Sequence, residues 1–448
     1  MHLLGLNIPD NILSVFRGTI PCQAGDSKDT WDFAVLSGDI WERHGNIIAS
    51  WRPYFAADFG HVPSDPVKYI NSGYRAQEFL IYIYDLLPAI LYRVMDETYW
   101  RTFCKLCAAV KIILQRRITR EQVQEAHKLL LEFVVEFELK FVQRKASHIH
   151  FIRPCIHNLT HLATSTIRIG PHCIVNQYPM ERTIGNIVEE IKQHTNASGN
   201  ASQRAIRRAQ VNTVKALIRD DTHGKPQTSS RFPRLVAGQG YTILWPKERT
   251  ANGKLLPRDE FDALDEFLTR EDVDSNATAE NTRVKKWGRL QLPSGDIARS
   301  LWQESKRSTD GAMRITRMVK FEHEDLVRFG EVMYYFGLQL GDDEKIHHLA
   351  MISPTSLLDR TVLDKSSGAL RMCTFTSGES LLVVRVSAIQ SIVSLLPFPL
   401  MEGEKLLSDK DYFVVENFGR ELSALTESST SLYDEGEPQP AEDEDNDE

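Results

Sequence analysis

Near residues 8–16 and again over 75–145 the apolar positions recur every three or four residues, and beyond about residue 285 they recur every second residue. The first period predicts helices. Ile8, Ile12, Leu13, Val15 and Phe16 fit one face of a short buried helix starting near Pro9. Leu80, Ile83, Leu87, Ile90, Leu91 and Val94 continue the pattern, and residues 75–145 read as three or more helices. In the next of them Val123, Leu130, Phe133, Val134, Phe137 and Phe141 bury one side, while Glu125, Lys128, Glu132, Glu136 and Lys140 face water. Thr119 to Glu121 supplies its cap. A further helix is predicted over 178–194, with Pro179 in its first turn and Ile184, Ile187, Val188 and Ile191 as its apolar face. After a small-residue link at 197–203 comes a basic helix. Its Arg204, Arg207, Arg208, Lys215 and Arg219 fall at spacings that give one positive face.

The second period predicts strands. Residues 287–292, 319–321, 331–340, 347–352, 370–375 and 380–386 are short runs rich in Val, Tyr, Phe and Leu, which suggests a small barrel or sandwich. Between the two regimes, turn formers and acids dominate 232–274, and 259–280 is strongly acidic, so a linker is expected over 231–285. The β-rich unit then covers 286–400. From 401 onward the chain is acidic and Ser-rich, with disorder expected from about 423. The fold class is α+β.

With 448 residues, 42% of them hydrophobic, the chain can bury two or three domain cores. The net charge of -8 argues against a nucleic-acid binder until its distribution is considered. Residues 101–219 hold 19 Lys or Arg and 8 Asp or Glu, whereas Asp434 to Glu448 holds nine acids and no base. A basic middle is set against an acidic end, and a basic face of this kind can contact phosphates. The six cysteines are too sparse for a disulfide-built scaffold and favour a reducing compartment. No basic start with a long apolar run resembles a secretory signal. The most apolar segment, 79–94, is interrupted by Asp85, Pro88 and Arg93 and falls short of the ~20 residues a membrane span needs. The expected protein is soluble and intracellular, nuclear or cytoplasmic, with no membrane partner.

Four sets of residues carry candidate chemistry. Trp31, Trp41 and Trp51, spaced by ten, could stack on bases, but aromatic anchoring of a loop-rich segment is the stronger reading. Cys104 and Cys107 form a CxxC, yet Leu106, Ala108, Ala109 and Val110 surround it at helical spacing, which favours core cysteines over a zinc site. His157 and His161 lie at i and i+4 and, with Cys155, form a possible zinc set. Asn158 stands where a zinc hydrolase has its glutamate, and the alternative is that these histidines are hydrogen-bonded on the buried side of a helix. Glu181 is a carboxylate at a helix start, which the helix dipole favours.

The stretches MHLLGLNIPDNILSVFRGTI, HNLTHL from His157, QYPMERTIGNIVEEIK from Gln177 and WGRLQLP from Trp287 occur in an order that resembles the C-terminal part of CACTA-type cut-and-paste transposases, especially the Plavaka-like fungal group. The resemblance implies a ribonuclease-H-like core in which two aspartates and a final acidic residue hold paired Mg or Mn ions, and Glu181 matches the last of these. It also implies that 1–74 is the remnant of the nuclease core, and that 75–230 holds a helical insertion, the Glu181 helix and the basic helix. An aspartate two places before the Met-His pair would be the second metal ligand, and it falls outside this sequence, as does the first. The implied function is therefore a transposase-derived protein without independent strand cleavage and with no tightly bound metal. DNA contacts are expected from Arg182, which follows Glu181 in the family's Glu-Arg pair, and from Arg204, Arg207, Arg208 and Lys215. Protein partners are expected through the β-rich unit and the acidic tail. Two alternatives stay open: a non-catalytic DNA-binding or interaction factor, and a longer active enzyme of which this chain is a truncated form.

Overall fold

The computed structural model describes residues 2–175, 177–191, 195–217, 233–250, 252–272, 278–306, 314–339, 346–399 and 410–419. The expected disordered tail from about 423, and Arg219, lie outside them. Helices dominate the first half. They comprise α1 (Ile8–Phe16), α2 (Gly38–Ser50), α3 (Pro66–Tyr69), α4 (Ala76–Ile81), α5 (Leu87–Leu91), α6 (Glu97–Ile113), α7 (Arg120–Phe137), α8 (Pro154–Asn158), α9 (Leu162–Ile169), α10 (Tyr178–Glu190) and α11 (Ala197–Leu217). Local chemistry explains several starts. Pro9 sits in the first turn of α1, where the missing N–H costs nothing. Asp96 accepts the Thr98 N–H at 2.8 Å ahead of α6. Thr119 and Gln122 exchange hydrogen bonds of 3.0 and 3.2 Å across the first turn of α7, which closes a capping box.

Helices α6 and α7 pack together, and Phe103, Leu106 and Val110 of the one and Leu130, Phe133 and Phe137 of the other are all buried. The polar side of α7 differs from its expected exposure. Glu125 and Lys128 face water, but Glu132, Glu136 and Lys140 are half-buried against α6. Lys105 Nζ donates to Glu132 at 2.6 Å and to Glu136 at 2.5 Å, and Lys140 Nζ donates to Glu136 at 2.8 Å. Burial pushes the Glu136 carboxyl upward, and the bonds from Lys105, Lys140 and Thr102 outweigh it and hold it down to about 2.

Strands begin only at Arg234 among the described residues. They are β1 (Arg234–Gly238), β2 (Tyr241–Lys247), β3 (Lys254–Leu255), β4 (Arg283–Val284), β5 (Trp287–Gln291), β6 (Ile297–Arg299), β7 (Met318–His323), β8 (Leu326–Gln339), β9 (Ile346–Pro354), β10 (Met372–Thr374), β11 (Leu382–Arg385), β12 (Ile389–Ile392), β13 (Ser394–Pro397) and β14 (Asp411–Val415). Nine of them form one antiparallel sheet in the order β1-β2-β5-β8-β7-β12, with β6 on β5, β9 on β8 and β11 on β9. A three-stranded sheet, β10-β14-β13, and the β3-β4 pair complete the set. The long β8 is central and carries a bulge between Val332 and Tyr334. Gly330 is required where β8 meets β9, because a Cβ there would come within 2.7 Å of the Ser353 carbonyl oxygen.

Residues 231–285 do not behave as a linker. β1 and β2 join the main sheet, and α12 (Arg258–Arg270) buries Phe261, Leu264, Phe267 and Leu268 while packing on β11. The acids of α12 occupy its other positions, so a charged composition conceals an amphipathic helix. The expected boundary between a helical unit and a β-rich unit is likewise bridged. One hydrophobic cluster runs from Leu4 to Val415 and draws on both halves. Trp51 Nε1 donates to the Pro397 carbonyl at 3.0 Å, the Ala56 N–H to Ser394 Oγ at 3.0 Å, and Asn417 Nδ2 to the Asp58 carbonyl at 3.0 Å. Trp31, Trp41 and Trp51 are all buried, so they act as core anchors and are not presented to a base.

Charged groups are buried at this seam too. Lys111 of α6 bonds Asp85 at 2.8 Å and the Ala369 carbonyl at 2.9 Å. Glu416 is clamped by Lys320 at 3.0 Å and by Arg371. Burial pushes the Asp85 carboxyl up and the Arg371 guanidinium down to about 10.

Two outcomes are expected from this packing. Glu416→Ala strands two buried cations and lowers unfolding free energy by about 3–5 kcal/mol, read from the shift of the urea midpoint. Glu136 has a folded pKa below its ordinary 4.5, so its contribution is complete above that value and is lost as pH falls toward about 2. Glu136→Gln should therefore flatten the stability profile across that acid window in pH-dependent denaturation.

Candidate nucleic-acid interface

The region from α9 to α11 holds most of the residues singled out from the sequence. Gly170, at φ 91°, ends α9 in a conformation that favours glycine, and Pro171 prevents the helix from resuming. The loop that follows is tied down: Cys173 Sγ donates to the Gln115 carbonyl at 3.1 Å, and His172 Nε2 lies 3.3 Å from the Leu162 carbonyl oxygen. Pro179 then starts α10, and Asn196 Oδ1 accepts the Gly199 N–H at 3.2 Å at the start of α11.

Glu181 lies in the first turn of α10, as expected from the sequence, with 47% of its side chain exposed. Its described ionic partner is His2, whose Nε2 is 3.6 Å from Oε1. Paired divalent metals require several oxygen ligands held together. Among the described residues no group of three or more His, Cys, Asp and Glu side chains is arranged to hold a metal ion. Among the described residues, the side chains around Glu181 do not form the set of oxygen ligands that the family resemblance implies for paired Mg or Mn ions.

The possible zinc set is not assembled either. His157 Nε2 and His161 Nε2 face each other at 3.2 Å on the surface, but the Cys155 thiol is directed to the Asn7 carbonyl at 3.7 Å. His148 is buried between the Phe141 carbonyl at 3.2 Å and Asp26 at 2.7 Å, and His150 Nε2 lies 2.7 Å from the Pro21 carbonyl oxygen. Cys104 and Cys107 are fully buried in α6, where burial pushes both thiols well above their ordinary range. Cys107 donates to the Ile83 carbonyl at 3.6 Å.

The expected apolar face of α10 is where structure and expectation part. Ile187 and Ile191 are half-buried, but Ile184 is 50% exposed, Val188 60% and Met180 66%. Helix α11 has no buried residue at all. It also contains no acid. Arg204, Arg207 and Lys215 are exposed and Arg208 is half-buried, and at ~100° per residue the four fall within an arc of about 100°. Arg204, Arg207, Lys215 and the exposed Arg182 of α10 form no ion pair among the described residues. A contact with no local signature adds to the site from the far end of the chain. Gly419 is buried so close to this loop that a Cβ on it would lie 3.8 Å from Cys173 Cβ and 3.9 Å from Arg116 Nε.

No helix among the described residues is long and apolar enough to cross a membrane. Comparison with protein-family models, with curated proteins and with solved structures found no match.

The thiol assignments are open to a direct check. In the native protein an aromatic disulfide reagent should modify exposed Cys22 within minutes and leave Cys104 and Cys107 untouched until denaturant is added. Mass spectrometry of the labelled peptides reads the outcome.

Proposed function

We propose that this chain is a DNA-contacting protein derived from the core of a cut-and-paste transposase, gripping phosphates through α11 without cutting strands itself. The observation that carries the reading is α11: a 21-residue helix with four bases, no acid and no buried side chain. An amphipathic helix normally hides a face against the core. This one offers its surface, and the charge it offers suits a polyanion. Lys and Arg that neutralise phosphates release condensed counterions, which makes such binding strong at low salt and sequence-independent.

The resemblance supports the transposase ancestry, with Glu181 as its marker. Catalysis by paired metals is not supported by the surroundings of Glu181, which are a half-exposed surface and a histidine. The exposed stripe of Met180, Ile184 and Val188 favours a second role, docking of a protein partner beside the DNA.

Fluorescence anisotropy with a random-sequence DNA duplex tests the reading. Affinity should fall linearly on a log-log plot against salt, and each of Arg204→Ala, Arg207→Ala and Lys215→Ala should reduce the slope by up to about 0.9. Glu181→Gln should bind DNA as the parent does. Absence of binding at low salt overturns the reading, and Mg- or Mn-dependent strand cleavage that Glu181→Gln abolishes overturns its non-cleaving part.

A further inference from the structure

The basic face of α11 makes no use of the histidine pair where α8 meets α9. Pro154 starts α8, and the chain passes through a 3-10 turn at Leu159–His161 before α9 begins at Leu162. Cys155, Ile156, Leu159, Leu162 and Ala163 are buried, so one side of this stretch is fixed in the core. His157 and His161 stand on the other side, exposed to solvent. Side chains carried on a segment that is packed along its opposite side keep a set geometry, which is what a pair of metal ligands requires.

That geometry is close to a chelate. The two Nε2 atoms lie 3.2 Å apart, and the ring planes stand at 81° to each other. Zinc binds imidazole nitrogen at about 2.0–2.1 Å, so two such bonds meeting at one ion across a 3.2 Å separation enclose an angle of about 103°. This falls between a right angle and the tetrahedral angle. A hydrogen shared by the two nitrogens also satisfies the distance, and the two arrangements differ in tautomer: with an ion bound, both rings keep their hydrogen on Nδ1 and direct an Nε2 lone pair at the cation.

The donor set decides the class of ion. The Cys155 thiol is turned to the Asn7 carbonyl, and no third His, Cys, Asp or Glu joins the pair among the described residues. Hard ions such as Mg and Ca prefer oxygen ligands, whereas imidazole suits Zn, Ni and Cu. With two protein ligands, water completes the coordination.

We propose that His157 and His161 form a two-nitrogen chelate for a divalent transition ion of the zinc class, open to water on its outer side. It differs from the paired Mg or Mn that the resemblance implies at Glu181, because it uses nitrogen and no carboxylate. It is also independent of the phosphate-binding reading of α11. The turn at Leu159–His161 packs on α7, and α8 packs on the helical turn Leu3–Asn7, so an ion bound by both rings braces a junction of three helical segments.

Calorimetric titration of zinc chloride into the full chain, and into His157→Asn and His161→Asn forms of it, tests the chelate. The parent should take up one zinc at its tightest site. Each single substitution should weaken that event about 100-fold, because the first imidazole presents the second at a high effective concentration. The double variant should lose little more than either single one. Both residues are exposed, so the variants should melt as the parent does in the absence of zinc. Location is read on the unaltered chain, and so holds whether or not a substitution disturbs folding: diethyl pyrocarbonate followed by peptide mass spectrometry should modify both histidines without zinc and spare both with it. Parent-like zinc affinity in either single variant overturns the proposal. So does modification of His157 and His161 that zinc leaves unchanged.

Discussion

Buried charge at the seam between helices and strands is the constraint on which the arrangement of the molecule depends. Asp85 and Lys111 come from the helical half, and Lys320, Arg371 and Glu416 from the strand-bearing half. Each is nearly inaccessible to solvent. An ion withdrawn from water without a partner costs several kcal/mol, so each half pairs its own buried charges, and Lys111 Nζ also reaches across the seam to donate to the Ala369 carbonyl at 2.9 Å. Asp85 also acts electrostatically on Arg371, which links the two pairs across the seam. Apolar burial drives the halves together, and the charges restrict how they can meet.

The seam explains why the expected division into separate units does not describe the folded chain. Trp51 and Pro53, from a loop region near the N-terminus, bond to strand-bearing segments more than 250 residues away. A single cluster of buried side chains spans both halves. Helices α10 and α11 are the exception. They pack on each other, have no buried side chain among their described residues, and keep apolar and basic surface exposed. A feature that the core does not need for its stability is free to be shaped by a ligand or by another part of the chain.

Legibility in the sequence followed how local the determining forces are. The cap at Thr119, Pro9 in α1 and the Phe-rich face of α7 are all set within a few turns, and the structure holds each where the pattern places it. Period-two runs likewise located β5, β7, β8 and β9. Helix α12 is hidden in the sequence because acids dominate its composition, although Phe261, Leu264, Phe267 and Leu268 carry the helical period. Glu132 and Glu136 of α7 read as solvent-facing in the sequence because nothing local shows that Lys105 of α6 stands opposite them.

The sequence by itself determined the placement of helices α1, α7 and α10 and of strands β5, β7, β8 and β9, the position of Glu181 at a helix start, and the opposition of a basic middle to an acidic end, because periodicity, capping and charge counts act over short distances. Only the tertiary structure decided that one core joins the two halves, that Glu181 faces His2 on an open surface, that Cys155 stands apart from the His157–His161 pair, and that Gly419 lies beside Cys173. Each of these depends on residues brought together from distant points in the chain, and their proximity follows from core packing and charge pairing that no local pattern records.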